Sequence, residues 1–425
     1  MEQATVTPGR RQALTAPLVV WAATRALLLL YVFKVLVLPG PDLTSDVSVI
    51  YRGWFEVLRS GSFPVDDVTW QYPPAAALAI LSPSLLPFLG YASAFFVLAW
   101  LTDAVVLALL LRAGRAPGRQ LAGAWVWVAG VPLLGPTAYA RYDVMVTTVA
   151  VAALLVLPRS PRAAGALAAL GALLKVWPVL LLVGLRRGRV ARMCWTAAAV
   201  TAACVTVLFS AAMPGALAFL TFQRDRGTEI ESLGALVFHA ARHVGWEGRV
   251  LLNYGSVEFL GPYVQEVSRL ALVLTVLALI WLLVRRRLAA EAGPGTPCDA
   301  ALAAVLLFTT TSRVISPQYL LWLLGLAAVC LTLRGSRQWP TALLVLAATA
   351  VTQLVFPVWF SHVVVSDPLG IAVLAVRNGL LVAATLVCCR RLWRQTVTEP
   401  RLRATTGRTV LPRPAGAGAS EKVPR

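Results

Sequence analysis

The sequence predicts an all-α polytopic membrane protein of about eight full crossings plus short re-entrant or hairpin helices, roughly ten to thirteen membrane helices in all, on three observations. Hydrophobic residues make up 58% of the 425 positions and charged ones only 13%, more apolar surface than a soluble core hides. Several apolar runs approach the roughly 20 residues that a helix needs to cross a bilayer. These runs are continuous in Leu, Val and Ala, whereas outer-membrane strands alternate in short segments, which argues against a barrel. The first run, 14–38, is too long for a signal-peptide core and no small-residue cleavage site follows it, so it is expected to stay as an anchor.

A formal charge of +19 invites a nucleic-acid reading, but the distribution of charge points elsewhere. Basic residues fill the short gaps between apolar runs: Arg10 and Arg11, Arg112 to Arg119, Arg159 and Arg162, Arg186 to Arg192, Arg285 to Arg287, Arg334 and Arg337, then the tail. That is the positive-inside pattern, and it places both termini in the cytoplasm. No nucleic-acid partner is expected; the partner is the bilayer itself. The chain divides into a cytoplasmic N-terminus (1–13), a transmembrane domain (14–389) with external loops 39–73 and 213–265, and a basic cytoplasmic tail (390–425). The tail's scattered Pro, Gly, Ser and Thr predict disorder and attraction to anionic headgroups.

Full crossings are expected near 14–38, 91–111, 121–138, 142–157, 190–212, 266–284, 339–360 and 370–389. Segments 163–185 and 299–333 carry arginine-rich gaps at both ends, so each should enter and return as a hairpin. Their vertices fall at Lys175-Val176-Trp177-Pro178 and at Ser312 to Pro317. Residues 74–88, interrupted by Pro83 and Pro87, should be a short or re-entrant element on the outer side. Irregular backbone at membrane depth is tolerated where protein or a watery cavity surrounds it, so these breaks predict a cavity.

The external side collects the polar residues that need explaining: Asp42, Asp46, Glu56, Asp66 and Asp67 in the first loop, Arg141 with Asp143, Lys175, the cluster Arg224 to Glu231, Arg313 with Gln318, His362, Asp367 and Arg377. Ionised side chains at the mouth of a membrane body are expensive and mark function. Carboxylates beside cations suit a sugar hydroxyl together with a phosphate. Arg141, Arg224, Arg226 and Arg313 fit structural ion pairs with Asp143, Asp225 or Glu231 equally well. Asp66 and Asp67 read as loop solvation, and Asp103, inside a crossing, as a packing partner of Arg25 or a hydroxyl.

Six motifs in order carry a resemblance. Asp46-Val47-Ser48-Val49-Ile50-Tyr51, Gln71-Tyr72-Pro73-Pro74, Arg141-Tyr142-Asp143, Leu174-Lys175-Val176-Trp177-Pro178, Arg224-Asp225-Arg226 through Glu231, and Ser316-Pro317-Gln318-Tyr319-Leu320-Leu321-Trp322 resemble glycosyltransferase family 87. The family's members are polytopic GT-C enzymes that use polyprenyl-phosphate mannose. The resemblance implies a GT-C-like domain and sugar transfer at the outer leaflet from a lipid-linked sugar phosphate to a cell-envelope glycolipid or glycan, with inversion and no other cofactor. It assigns Asp46 as general base. Lys175 and Arg313, with Arg141, Arg224 and Arg226, are then candidates for the donor phosphate, and Tyr72, Asp143, Glu229 and Glu231 for sugar hydroxyls. Gln318 stands where some relatives carry a histidine and joins the acceptor candidates.

Competing chemistries lack their signatures. His239, His243 and Glu247 recur at i, i+4 and i+8, but the zinc motif is missing and an interfacial helix explains them, so no metal site is expected. There is no phosphate-binding glycine loop and no Asp-x-Asp pair for a nucleotide sugar. A transporter of a lipid-linked sugar also uses broken helices and cavity cations, but the chain shows no internal repeat and its polar residues gather on one side.

Overall fold

In the computed structural model, which describes residues 8–222, 227–400 and 402, apolar helices dominate. Helix α1 (Pro8–Val32) is followed by a π-helical turn (Asp46–Tyr51), α2 (Arg52–Arg59), α3 (Ala76–Leu81), α4 (Tyr91–Gly114), α5 (Ala122–Leu134), α6 (Asp143–Val156), α7 (Pro161–Leu174) and α8 (Arg189–Ala212). The second half holds α9 (Phe219–Phe222), β1 (Thr228–Glu229), α10 (Ala235–Ala241), β2 (Arg249–Asn253), β3 (Ser256–Leu260), α11 (Val264–Leu288), α12 (Thr296–Thr311), α13 (Tyr319–Leu331), α14 (Trp339–Gln353), α15 (Phe360–Val365) and α16 (Pro368–Trp393).

Six of these helices are long and apolar enough to span a bilayer, beginning with residues 14–32 of α1 and including α4, α8, α11, α14 with its extension to Val358, and α16. Six apolar segments are shorter, among them α5, α6, α7, α12 and α13. Six long helices and six shorter apolar ones make twelve among the described residues, within the ten to thirteen membrane helices expected. The segments 121–138 and 142–157 supply α5 and α6 of 13 and 14 residues, and at about 1.5 Å per residue each falls short of a 30 Å hydrocarbon core. The cause lies in the chain: Pro132, Gly135 and Pro136 end α5 early. Gly135 takes φ +69°, and a Cβ there would collide with the Gln353 side chain, 2.5 Å from its Oε1.

The two expected hairpins form as the sequence indicates. Helix α7 is capped by Ser160, whose hydroxyl accepts from Ala163 N at 3.3 Å, and stops where Lys175 turns extended ahead of the 3₁₀ turn Trp177–Leu182. Pro178 cannot donate to a continuing helix. Helices α12 and α13 flank Ser312–Gln318 with Pro317 in the break.

The short helices form the core and the long ones its jacket. Every residue of α13 from Leu320 to Leu331 is buried, whereas α8 and α11 leave rows of Val and Leu exposed, such as Val200, Val207, Leu272 and Leu277. Those rows suit lipid as solvent. Small residues let helices touch: a Cβ on Gly165 of α7 would collide with the Cys194 carbonyl of α8.

Between α9 and α11 a small antiparallel sheet, ordered β1-β3-β2, covers one end of the bundle. The strands lie within the segment 213–265 that the sequence predicts as an external loop. Tyr254 (φ 48°) and Gly255 (φ 76°) form the two-residue turn that joins β2 to β3. Helix α10 is not the interfacial helix expected. It ends at Ala241, Glu247 lies beyond it, and His239 is fully buried, bonded to Ser366 and the Ile230 carbonyl. At the opposite, arginine-rich end, α16 runs to Trp393 and continues as a π turn over Arg394–Thr398. The segment expected to be disordered from residue 390 thus begins as helix.

Candidate active site

Four segments distant in sequence meet at the hairpin tips. Asp46 opens the π-helical turn after the first loop, and its carboxylate pairs with Arg141 Nη2 at 2.8 Å. Arg141 is fixed by its other terminal nitrogen, which donates to the carbonyls of Ala140 (2.8 Å) and Leu43 (3.3 Å). Two residues later Asp143 begins α6 and holds the Lys175 ammonium at 2.8 and 2.9 Å from its two oxygens. Trp322 of α13 donates its indole N–H to the same carboxylate at 2.7 Å. The tripeptide Arg141-Tyr142-Asp143 thus grips Asp46 with its first residue and Lys175 with its last.

Aromatic rings enclose the ammonium. Lys175 Nζ lies 5.2 Å from the centroid of Tyr142, 5.4 Å from Trp322 and 5.5 Å from Tyr72, within cation–π range. Tyr72 meets Tyr142 edge-on, Tyr51 packs against Tyr142, and Trp322 stacks on both Tyr319 and Trp177. The π-helical turn thereby sets Asp46 on Arg141 and Tyr51 on the neighbouring Tyr142. Where helix breaks were expected to open a cavity, these rings close around the lysine. Two surface cavities lie elsewhere: one of about 370 Å³ beside Phe63, Asp66, Asp67 and Pro214, and one of about 360 Å³ at the arginine-rich end.

Accessibility separates the two carboxylates. The Asp46 side chain is 31% exposed while that of Asp143 is fully buried; Arg141 and Lys175 are each 13% exposed. Of the pair, Asp46 is the one with side-chain surface open to its surroundings. Asp143 positions Lys175 and presents no oxygen to a sugar, which corrects its assignment as a hydroxyl ligand.

Glu229 and Glu231 are likewise turned inward. Ile315 N donates to Glu229 Oε2 at 2.6 Å and Glu229 N donates to the Arg313 carbonyl at 3.0 Å, stitching β1 to the α12–α13 tip. Glu231 pairs with the buried Arg377 at 3.1 Å, and Arg377 also donates to the carbonyls of Glu231 (2.8 Å) and Ile315 (3.3 Å). Burial, and then the neighbouring Glu229 carboxylate, push Glu231 up to about 8 against the pull of Arg377. These acids brace the tip from behind, each with one carboxylate oxygen on an internal donor, Ile315 N for Glu229 and Arg377 for Glu231. Arg313 and Gln318 stand half-buried on that tip, Gln318 as the residue before α13. Arg224 and Arg226 lie outside the described residues.

The structure brings the predicted residues Asp46, Arg141, Lys175 and Tyr72 together, and adds a cage of rings that the sequence does not announce. Tyr51, Tyr142 and Trp322 sit inside the motifs given above, and of the three only Tyr142 stands beside charged tip residues, between Arg141 and Asp143. Asp103 behaves as expected, packed between helices on Arg25 at 2.7 Å with the Tyr139 hydroxyl also at 2.7 Å.

No curated protein and no solved structure matches the chain. The family model of glycosyltransferase family 87 matches residues 70–317, a span that takes in Tyr72, the Arg141–Asp143 tip, Lys175 and Arg313 and begins after Asp46. That span covers more than half of a chain built of membrane helices, and the chain belongs to glycosyltransferase family 87, a membrane glycosyltransferase.

Proposed function

We propose that this enzyme transfers mannose from a polyprenyl-phosphate donor to a cell-envelope glycolipid or glycan at the extracytoplasmic face of a bacterial plasma membrane, with inversion and with Asp46 as general base. The observation that carries the reading is the division of labour at the Arg141–Asp143 tip, where an accessible carboxylate and a caged ammonium share one rim. Asp46 takes the proton of the acceptor hydroxyl as its oxygen bonds to the anomeric carbon. The bond from that carbon to the phosphate oxygen breaks, and its electron pair leaves with the polyprenyl phosphate. A single displacement of this kind needs one base and no covalent intermediate.

The ion pairs make the charge movement cooperative. At rest the Arg141–Asp46 and Lys175–Asp143 pairs each sum to zero. When Asp46 is protonated, Arg141 is left with an uncompensated positive charge 2.8 Å away, at the moment the leaving phosphate gains negative charge. Cations already in place at a poorly hydrated site stabilise that charge without reorganisation. Lys175 and Arg313, with Arg224 and Arg226, are the further cations assigned to the donor phosphate. Tyr72 and Gln318 remain the acceptor-side candidates, and the arginine-rich gaps support the orientation.

Membranes carrying the protein, supplied with radiolabelled polyprenyl-phosphate mannose and an envelope lipid extract, should yield a labelled glycolipid that control membranes lack. Label appearing from a nucleotide sugar when polyprenyl-phosphate synthesis is blocked, and none from the lipid donor, would contradict the assignment.

A further inference from the structure

At the end of the bundle opposite Asp46, a cavity of about 360 Å³ is lined by Arg337, Val387, Arg390, Arg391, Arg394 and Glu399. Four guanidinium groups face one carboxylate. Part of that charge is committed: Arg337 Nη1 lies 2.7 and 2.9 Å from the two Glu399 oxygens, and Arg391 Nη1 donates to the Arg337 carbonyl at 2.7 Å. Arg390 and Arg394 are exposed and make no side-chain hydrogen bond or ion pair among the described residues. Cations in the last turn of α16 favour the helix dipole, which accounts for Arg390 and Arg391. It does not account for Arg337, which arrives from the turn before α14 to complete the wall.

The surroundings select the occupant. Exposed leucines run along the adjoining faces of α14 and α16, Leu343 at 58% and Leu386 at 65%, and Val387 lines the cavity itself. An apolar surface that ends in a ring of guanidinium forks has the polarity of a single lipid, acyl chain below and phosphate above. Guanidinium groups match phosphate oxygens in bidentate geometry.

We infer that this cavity binds the phosphate of an anionic membrane phospholipid, at a site separate from the one that handles the sugar donor. The test uses the full chain in neutral detergent, titrated with short-chain phosphatidylglycerol and followed by native mass spectrometry. Wild type should bind one lipid saturably, and R390A/R394A should bind it at least about tenfold more weakly. Both substitutions lie on the surface, so the unfolding temperature should stay unchanged. R186A/R187A, which removes equal charge outside the cavity, should bind as wild type does. Equal binding by R390A/R394A, or equal loss in both double variants, overturns the proposal. So does displacement of the lipid by inorganic phosphate at matching concentration, which would make the site one for free phosphate.

Discussion

Arg25–Asp103 and Arg141–Asp46 are both arginine–aspartate pairs, 2.7 and 2.8 Å long, yet the molecule treats them in opposite ways. Asp103 is fully buried and receives Trp21, Trp127 and Tyr139 as well as Arg25, whose Nη1 donates to the Val128 carbonyl and whose Nη2 donates to the Trp127 carbonyl. Every lone pair it offers is directed into the protein. Asp46 has one charged partner and an open side. The contrast teaches that in a membrane protein the sign and spacing of charges do not separate scaffold from chemistry; saturation does. Asp143–Lys175 stands between the two, its carboxylate saturated and its ammonium partly open.

Substitutions can break this ordering. Asp103→Asn leaves the Arg25 guanidinium buried without a counter-charge, and loss of one partner of a buried pair costs about 3–5 kcal/mol; thermal unfolding in detergent should show the largest drop of any variant considered. Lys175→Met exposes the contrast from the other side. It should cost about 2 kcal/mol of stability, because Trp322 still bonds Asp143, while sugar transfer falls by far more than the surviving folded fraction explains. Trp322→Phe removes one hydrogen bond to a buried carboxylate, for about 1.5–3 kcal/mol, and should raise the donor KM by loosening Lys175.

A further effect is read against pH, at Glu231. Its native proton affinity is raised, to about 8 from an ordinary 4.5, so between those pH values the folded protein holds a proton that the unfolded chain has released. The corresponding stability is fully present below about 4.5 and is lost as pH rises to about 8. The unfolding temperature should decline across that window, and Glu231→Gln should flatten the decline.

How much of this was legible depended on whether a feature was local. Lys175 and Ser312 to Pro317 announced their hairpin tips because arginines bracket both segments and a polar vertex interrupts each apolar run. Helices α5 and α6 are shorter than the apolar runs 121–138 and 142–157 suggest; the overlooked signal is Pro132 with Gly135-Pro136. The sheet was invisible to hydropathy, although the Tyr254-Gly255 turn between Val- and Leu-bearing runs is a hairpin signal. Site partners were the least legible part. Arg141 lies 95 positions from Asp46 and Trp322 lies 179 from Asp143, and no local pattern reports which cation meets which carboxylate. The resemblance makes Asp143, Glu229 and Glu231 candidates for sugar hydroxyls; folding turns all three inward.

The decisive measurement is the initial rate of sugar transfer by Asp46→Asn protein whose unfolding temperature and lipid-donor binding match wild type. The account predicts a fall in kcat of about 10²–10⁴-fold, the range expected for a lost general base. A rate within about twofold of wild type would show that the exposed carboxylate of Asp46 takes no part in the reaction.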